Sequence, residues 1–235
     1  MMDLNQINEL FDRYIKPQTF PVALKLCKSG DEMPERVKLP VRDLGYQVTI
    51  CQAIGMSRRY GWTLAVSHDD QCCIGGALAM GFVSKAPQGF PFPPDKQIEA
   101  GKYSHLLIAP ITRAAFEPDL VVLYGNSAQV MRLSHSVVMG PVQDVVSARG
   151  AGMADCGDIL TTAGGECRFI LPSGGDRVYG STQDNEVLFA IPGASVEAVA
   201  KGLEDTHNMG FRYPVLTDMR HRPALAPFLE IPEGK

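Results

Sequence analysis

Apolar positions along the 235-residue chain change period repeatedly, and those changes mark out its elements. Leu4, Ile7, Leu10, Phe11, Tyr14 and Ile15 recur at helical spacing, with Asp3 placed as an N-cap and Pro17 ending the helix. Residues 21–28 alternate as a strand with one buried face. A β-prone run at 46–50 leads into a helix predicted over 52–60 and closed by Gly61. Short strands are expected at 62–66, 105–109, 120–124, 167–171 and 186–191, with helices at 128–139, 154–160 and 195–204. Residues 29–43 read as an irregular connection, 85–94 as an ordered cover loop, and the chain from Tyr213 onward as irregular packing over the core. Strands that alternate with helices predict an α/β or α+β fold, a mixed sheet with helices. No compositional break divides the chain, so a single domain over 1–235 is expected.

Composition narrows the function classes. Hydrophobic residues at 45% and charged residues at 20% describe an ordinary soluble protein able to bury a core. A net charge of −4 and the absence of any Lys/Arg run argue against nucleic acid as the main partner. Arg58-Arg59 and Arg220-His221-Arg222, the densest basic spots, read as solvated or carboxylate-pairing surface. Residues 1–16 have no continuous apolar core, so no signal peptide is expected. No segment approaches the roughly 20 apolar residues that span a bilayer. The expectation is a cytoplasmic protein, where structural disulfides are rare; six cysteines then raise the question of metal or redox chemistry. The partner classes left are a small-molecule ligand, a redox partner and a second copy of the chain.

Candidate chemistry concentrates at strand-to-helix corners. Asp69-Asp70-Gln71-Cys72-Cys73-Ile74-Gly75-Gly76 sets two adjacent cysteines between an acidic turn and the Gly-Gly opening of a small-residue helix. Such a corner suits a thiolate, since a helix start lowers thiol pKa and glycine admits close backbone approach. Two buried small hydrophobes would produce the same pattern. Cys51 lies at a similar corner. Tyr124-Gly125-Asn126-Ser127 forms a third, where Asn126 and Gln129 are substrate-binding candidates, although turn formation and capping account for Asn126 equally well. Asp176-Arg177 reads as an internal ion pair, or as a means of bringing Arg177 to an anionic substrate. The five histidines show no metal-ligand spacing, Lys25 reads as a solvated residue on the outer face of its strand, and no nucleophile elbow is present.

With these pieces in view the sequence resembles the domain of unknown function 169 family over most of its length. The resemblance rests on Pro21-Val-Ala-Leu-Lys25, Cys51-Gln-Ala-Ile-Gly55, Cys73-Ile-Gly-Gly-Ala-Leu-Ala-Met-Gly81 and Phe116-Glu-Pro-Asp-Leu-Val-Val-Leu-Tyr-Gly-Asn126. It continues through Ala128-Gln129-Val-Met-Arg132-Leu133, Cys156, Gly175-Asp176-Arg177, and Asn185-Glu186 leading to Ile191-Pro192. Members resembling this chain occur widely in anaerobic bacteria and archaea. The resemblance implies recurring cysteines at Cys51, the Cys72/Cys73 pair and Cys156, with Cys73 preferred because the Gly-Gly follows it more closely. Many members carry Cys where this chain has Ser173, and Cys167 stands six residues earlier.

Three converging thiolates could not be buried without a cation. Widely spaced cysteines suit an iron–sulfur cluster better than structural zinc, whose ligands come in close pairs. The expected cofactor is therefore an iron–sulfur cluster of the 4Fe–4S type, with Cys51, Cys73 and Cys156 as ligands. Cys72 or Cys167 is the candidate fourth ligand, or else one iron stays open for a redox, catalytic or sensing role. Another metal or a redox thiol remains an alternative. So does a metal-free protein that holds a small anionic metabolite.

Overall fold

The structure is a computed structural model and describes residues 2–149 and 154–215. In chain order the elements are α1 (Leu4–Tyr14), β1 (Val22–Cys27), α2 (Ile50–Tyr60), β2 (Leu64–Ser67), α3 (Ile74–Ala79), β3 (His105–Pro110), β4 (Leu120–Gly125), α4 (Ser127–Val138), β5 (Ser147–Arg149), α5 (Asp155–Leu160), β6 (Arg168–Ile170), α6 (Gly174–Tyr179), β7 (Val187–Pro192) and α7 (Val196–Asn208). The seven strands form one mixed sheet in the order β2-β3-β1-β4-β7-β6-β5. Only β5 and β6 run parallel; every other pair is antiparallel. Of the two classes open from the sequence, the fold is α+β.

Strand alternation assigns the two faces. On β4, Leu120, Val122 and Tyr124 pack with Ile50, Ile54, Leu160 and Leu188 in one core. Val121 and Leu123 turn the other way, toward Phe11, Leu133, Val199 and Leu203 of α1, α4 and α7. The sheet is therefore sandwiched between α1, α4 and α7 on one side and α2, α3 and α5 on the other. Among the described residues no helix is long and apolar enough to cross a membrane.

Several boundaries follow from local chemistry. Asp3 and Gln6 close a reciprocal capping box on α1, and Thr49 caps α2 by accepting from the Gln52 N–H at 3.0 Å. Gly61 ends α2 at φ +72°, a left-handed conformation that favours glycine. The β-prone run at 46–50 is not a sheet strand. It makes one bridge, with the Val48 N–H donating to the Asp70 carbonyl and the Cys72 N–H to the Val48 carbonyl. That bridge ties the start of α2 to the segment that enters α3.

On the same side of the sheet α2 meets α6 at glycine. A Cβ on Gly55 would stand 2.6 Å from the Gly180 carbonyl oxygen, which belongs to backbone and cannot rotate away. In an exposed helix interior Gly→Ala is stabilising by about 1 kcal/mol. Here overpacking dominates, and Gly55→Ala is expected to destabilise by about 1–3 kcal/mol in urea unfolding.

Candidate metal centre

Several helix starts converge on the α2/α3/α5 side of the sheet. Cys51 is the second residue of α2, Cys73 the N-cap of α3, Asp155 and Cys156 the first two residues of α5, and Ser173 the N-cap of α6. Together with Gly75, Gly76 and Phe90 they line a cavity of about 330 Å³. Phe90 belongs to the loop expected to act as a cover. Gln71 fixes the Cys73 backbone from both sides, accepting from its N–H and donating to its carbonyl. Gly76 lets α3 lie close beneath, since a Cβ there would come within 3.0 Å of the Gln71 amide.

Within the cavity the Cys51 Sγ, an Asp155 carboxylate oxygen and the Cys156 Sγ all lie within 4.8 Å of one another. Besides the Cys51 thiol, at 3.9 Å from Oδ1, three closer donors hold the Asp155 carboxylate. Oδ1 accepts from the Ser173 hydroxyl at 2.8 Å and the Cys156 N–H at 3.0 Å, and Oδ2 accepts from the Ser173 N–H at 2.9 Å. Burial nevertheless outweighs those donors and raises the Asp155 pKa. The Cys51 thiol is raised well above its ordinary value by its hydrogen bond with Cys156, then by burial, then by the surrounding acids. The Cys51 thiol therefore holds its proton more tightly than a free thiol, and a cation bound there would displace it.

Behind this group lies a second buried acid. The Ser173 hydroxyl accepts from the Asp176 N–H at 3.2 Å, and the Asp176 carboxylate accepts from Thr182 at 2.8 Å and Tyr124 at 3.4 Å. Arg58 lies over the Tyr124 ring at 3.9 Å and donates to Thr182 and bidentately to Glu186. Burial, then the charge of Asp155, push Asp176 up to about 7.

The structure brings together Cys51, Cys73 and Cys156 on one cavity, though only Cys51 and Cys156 belong to the tight group. Cys72 is exposed. Cys167 is corrected as a fourth-ligand candidate. It packs in the opposite core, because Cys167 and Phe169 face one side of the sheet while Ile170 faces the other, and burial pushes its thiol up to about 12. Cys27, also far from the cavity, is pushed up to about 11. None of the substrate-binding candidates Asn126, Gln129 and Arg177 lines the cavity. Asn126 caps α4 and donates to the Tyr213 hydroxyl, and Gln129 donates to the carbonyls of Ile15 and Lys16 from a buried position. Arg177 donates to the Gln183 carbonyl and faces Asp184 at 3.6 Å, so it is not paired with Asp176. Arg58 and Arg59 do pair with a carboxylate, Glu186, but Arg58 does so fully buried. Arg220, His221 and Arg222 lie outside the described residues.

Asp155 is the residue missed by sequence reasoning. Its signal was an acidic residue immediately before Cys156 at a helix start, a place where an acid ordinarily complements the helix dipole.

No curated protein and no solved structure matches the chain. A family profile described as "Uncharacterised ArCR" matches residues 11–98 and 94–202. By that match, which takes in Cys51, Cys73 and Cys156 in order, the chain belongs to the domain of unknown function 169 family.

Proposed function

We propose that the chain is a metalloprotein whose cavity holds an iron–sulfur cluster, with Cys51, Cys73 and Cys156 as thiolate ligands and Asp155 as an oxygen ligand. The observation that carries this reading is the convergence of three thiols and a carboxylate, from separate helix starts, on one cavity of about 330 Å³. The donor set fits, because soft thiolates select zinc, copper(I) or iron–sulfur centres over hard cations. The space fits a multi-atom group better than a lone ion, and Cys73 has a place in it only if the group is extended. When bound, such a cluster supplies electron transfer or, at an iron with an exchangeable ligand, Lewis acidity. Ser173 then has a defined task. Its hydroxyl and N–H orient the Asp155 carboxylate, as partners of metal ligands commonly do. An oxygen ligand among thiolates favours a catalytic or sensing role over simple electron relay.

A second reading is a mononuclear ion on Cys51, Asp155 and Cys156. It is favoured by their closeness, since tetrahedral thiolates at about 2.3 Å from zinc stand roughly 3.8 Å apart. The metal-free anion reading has less support, because no cationic side chain among the described residues lines this cavity.

Anaerobic purification followed by iron, zinc and acid-labile sulfide analysis tests the proposal. Iron and sulfide in matched stoichiometry are expected, lost in Cys51→Ala and Cys156→Ala and retained in Cys167→Ala. Zinc without sulfide would transfer support to the mononuclear ion. Folded protein with neither metal after reconstitution would remove both readings.

A further inference from the structure

The end of α2 remote from Cys51 borders a second cavity, of about 660 Å³, with a different chemistry. Gly61 follows Cys51 by ten residues, roughly 15 Å along the helix axis. Trp62 forms an apolar wall, with the Tyr60 ring 5.4 Å away and 64% exposed. Arg36, Lys38 and Arg113 stand around it, and Glu35 is the acid in the lining. This excess of cations occurs in a chain whose net charge is −4.

The arrangement is built into the fold. Lys38 is fixed alongside β2: its N–H donates to the Thr63 carbonyl at 2.9 Å, and its carbonyl accepts from Ala65 at 3.0 Å. Its Nζ stands 5.0 Å from the centre of the Trp62 ring. Arg113 donates to the carbonyl of Gly61, and a Cβ at Gly61 would lie 2.9 Å from the Arg113 Nη1. The left-handed helix end favours glycine at this position, and the guanidinium packs closely against it. Among the described residues Arg42, Arg58, Arg59, Lys96, Arg149 and Arg177 have carboxylate partners, whereas Arg36, Lys38 and Arg113 form no such pair. Lys38 does act on Asp43, which Arg42 already pairs.

We infer that this cleft is a binding site for a phosphorylated aromatic molecule of mononucleotide size. The indole ring takes the flat apolar body, and Arg36, Lys38 and Arg113 take the phosphate. Arginine forks and a lysine ammonium suit a doubly charged phosphate, and the volume falls in the roughly 300–1,000 Å³ range of small-molecule sites. This site is independent of the proposed cluster.

Trp62 is the only tryptophan in the chain, so intrinsic tryptophan fluorescence reports on this cleft alone. Titration with adenosine 5′-monophosphate, guanosine 5′-monophosphate and flavin mononucleotide at low ionic strength should give a saturable change with at least one of them. Its dephosphorylated parent, and ribose 5-phosphate, should each bind at least about tenfold more weakly, since each lacks one half of the recognition. The double variant Arg36→Ala/Arg113→Ala, altered only at exposed side chains, should lose a similar factor and most of the salt dependence. Binding should survive Cys51→Ala, which separates this site from the metal centre. No saturable response from any of the three nucleotides, equal binding of the dephosphorylated parent, or unchanged affinity in the double variant would overturn the assignment.

Discussion

Arg58→Met is expected to cost roughly 3–5 kcal/mol in chemical unfolding, the usual penalty for stranding one half of a buried ion pair. Arg58 is 1% exposed and holds both oxygens of Glu186, at 2.8 and 3.0 Å, while also donating to Thr182 and lying over Tyr124. Methionine fills much of the stem's volume, so the loss comes from the uncompensated carboxylate rather than from a large cavity. Arg59, at 3.4 Å from Glu186, and the Gln183 N–H, at 2.7 Å, moderate that loss without replacing a bidentate guanidinium. Adding Glu186→Gln should recover part of the stability, because the stranded charge is then gone. A single-variant cost below about 1 kcal/mol would place this pair with ordinary surface bridges.

The second large effect concerns Asp176 in metal-free protein. Its pKa in the folded chain is about 7, against an ordinary 3.8, chiefly through burial and then the Asp155 charge. Between those values the folded protein keeps a proton that the unfolded chain has released. Stability attributable to Asp176 is therefore fully present below about pH 4, falls as pH rises, and is gone above about pH 7. The magnitude is on the order of a few kcal/mol. Asp176→Asn keeps an acceptor for Tyr124 or Thr182 and removes the titration. Plotted against pH, its unfolding free energy should decline less than the parent's across this window and approach or exceed it at pH 8. Parallel curves for the two proteins would show that Asp176 ionises as freely in the folded state as in the unfolded one.

Both effects arise from a polar network that the sequence did not display, and the reason is instructive. The limits of α2 were legible because capping is local: Thr49 before it and Gly61 after it act within a few residues. Helix α6 was not legible. Pro172 and two glycines carry no helical pattern, and the turn persists because Ser173 caps it and Asp176 is buried against Tyr124 and Thr182. Six of the strands were readable from the apolar pattern, β5 at Ser147–Arg149 was not, and antiparallel order depends on pairings that no single segment encodes. Within the site, strand-to-helix corners pointed to Cys51 and the Cys72/Cys73 pair, and Cys156 came only from the family resemblance. Asp155 was overlooked because an acid at a helix start has an ordinary explanation. Alternation put Cys167 on the side of Phe169 and opposite Ile170, but only the structure shows that this side faces away from Cys51 and Cys156.

The close approach of Cys51 and Asp155 spans 104 positions of the chain. Contacts of such separation carry the full entropic cost of loop closure and belong to slow, topology-limited steps of folding. In small zinc modules the metal gathers neighbouring ligands and drives folding itself. Here Cys51 stands 104 positions from Asp155, so the candidate group comes together only once the long-range contacts of the fold have formed. If the proposed centre forms, insertion follows folding, and the metal-free chain is folded before the metal arrives.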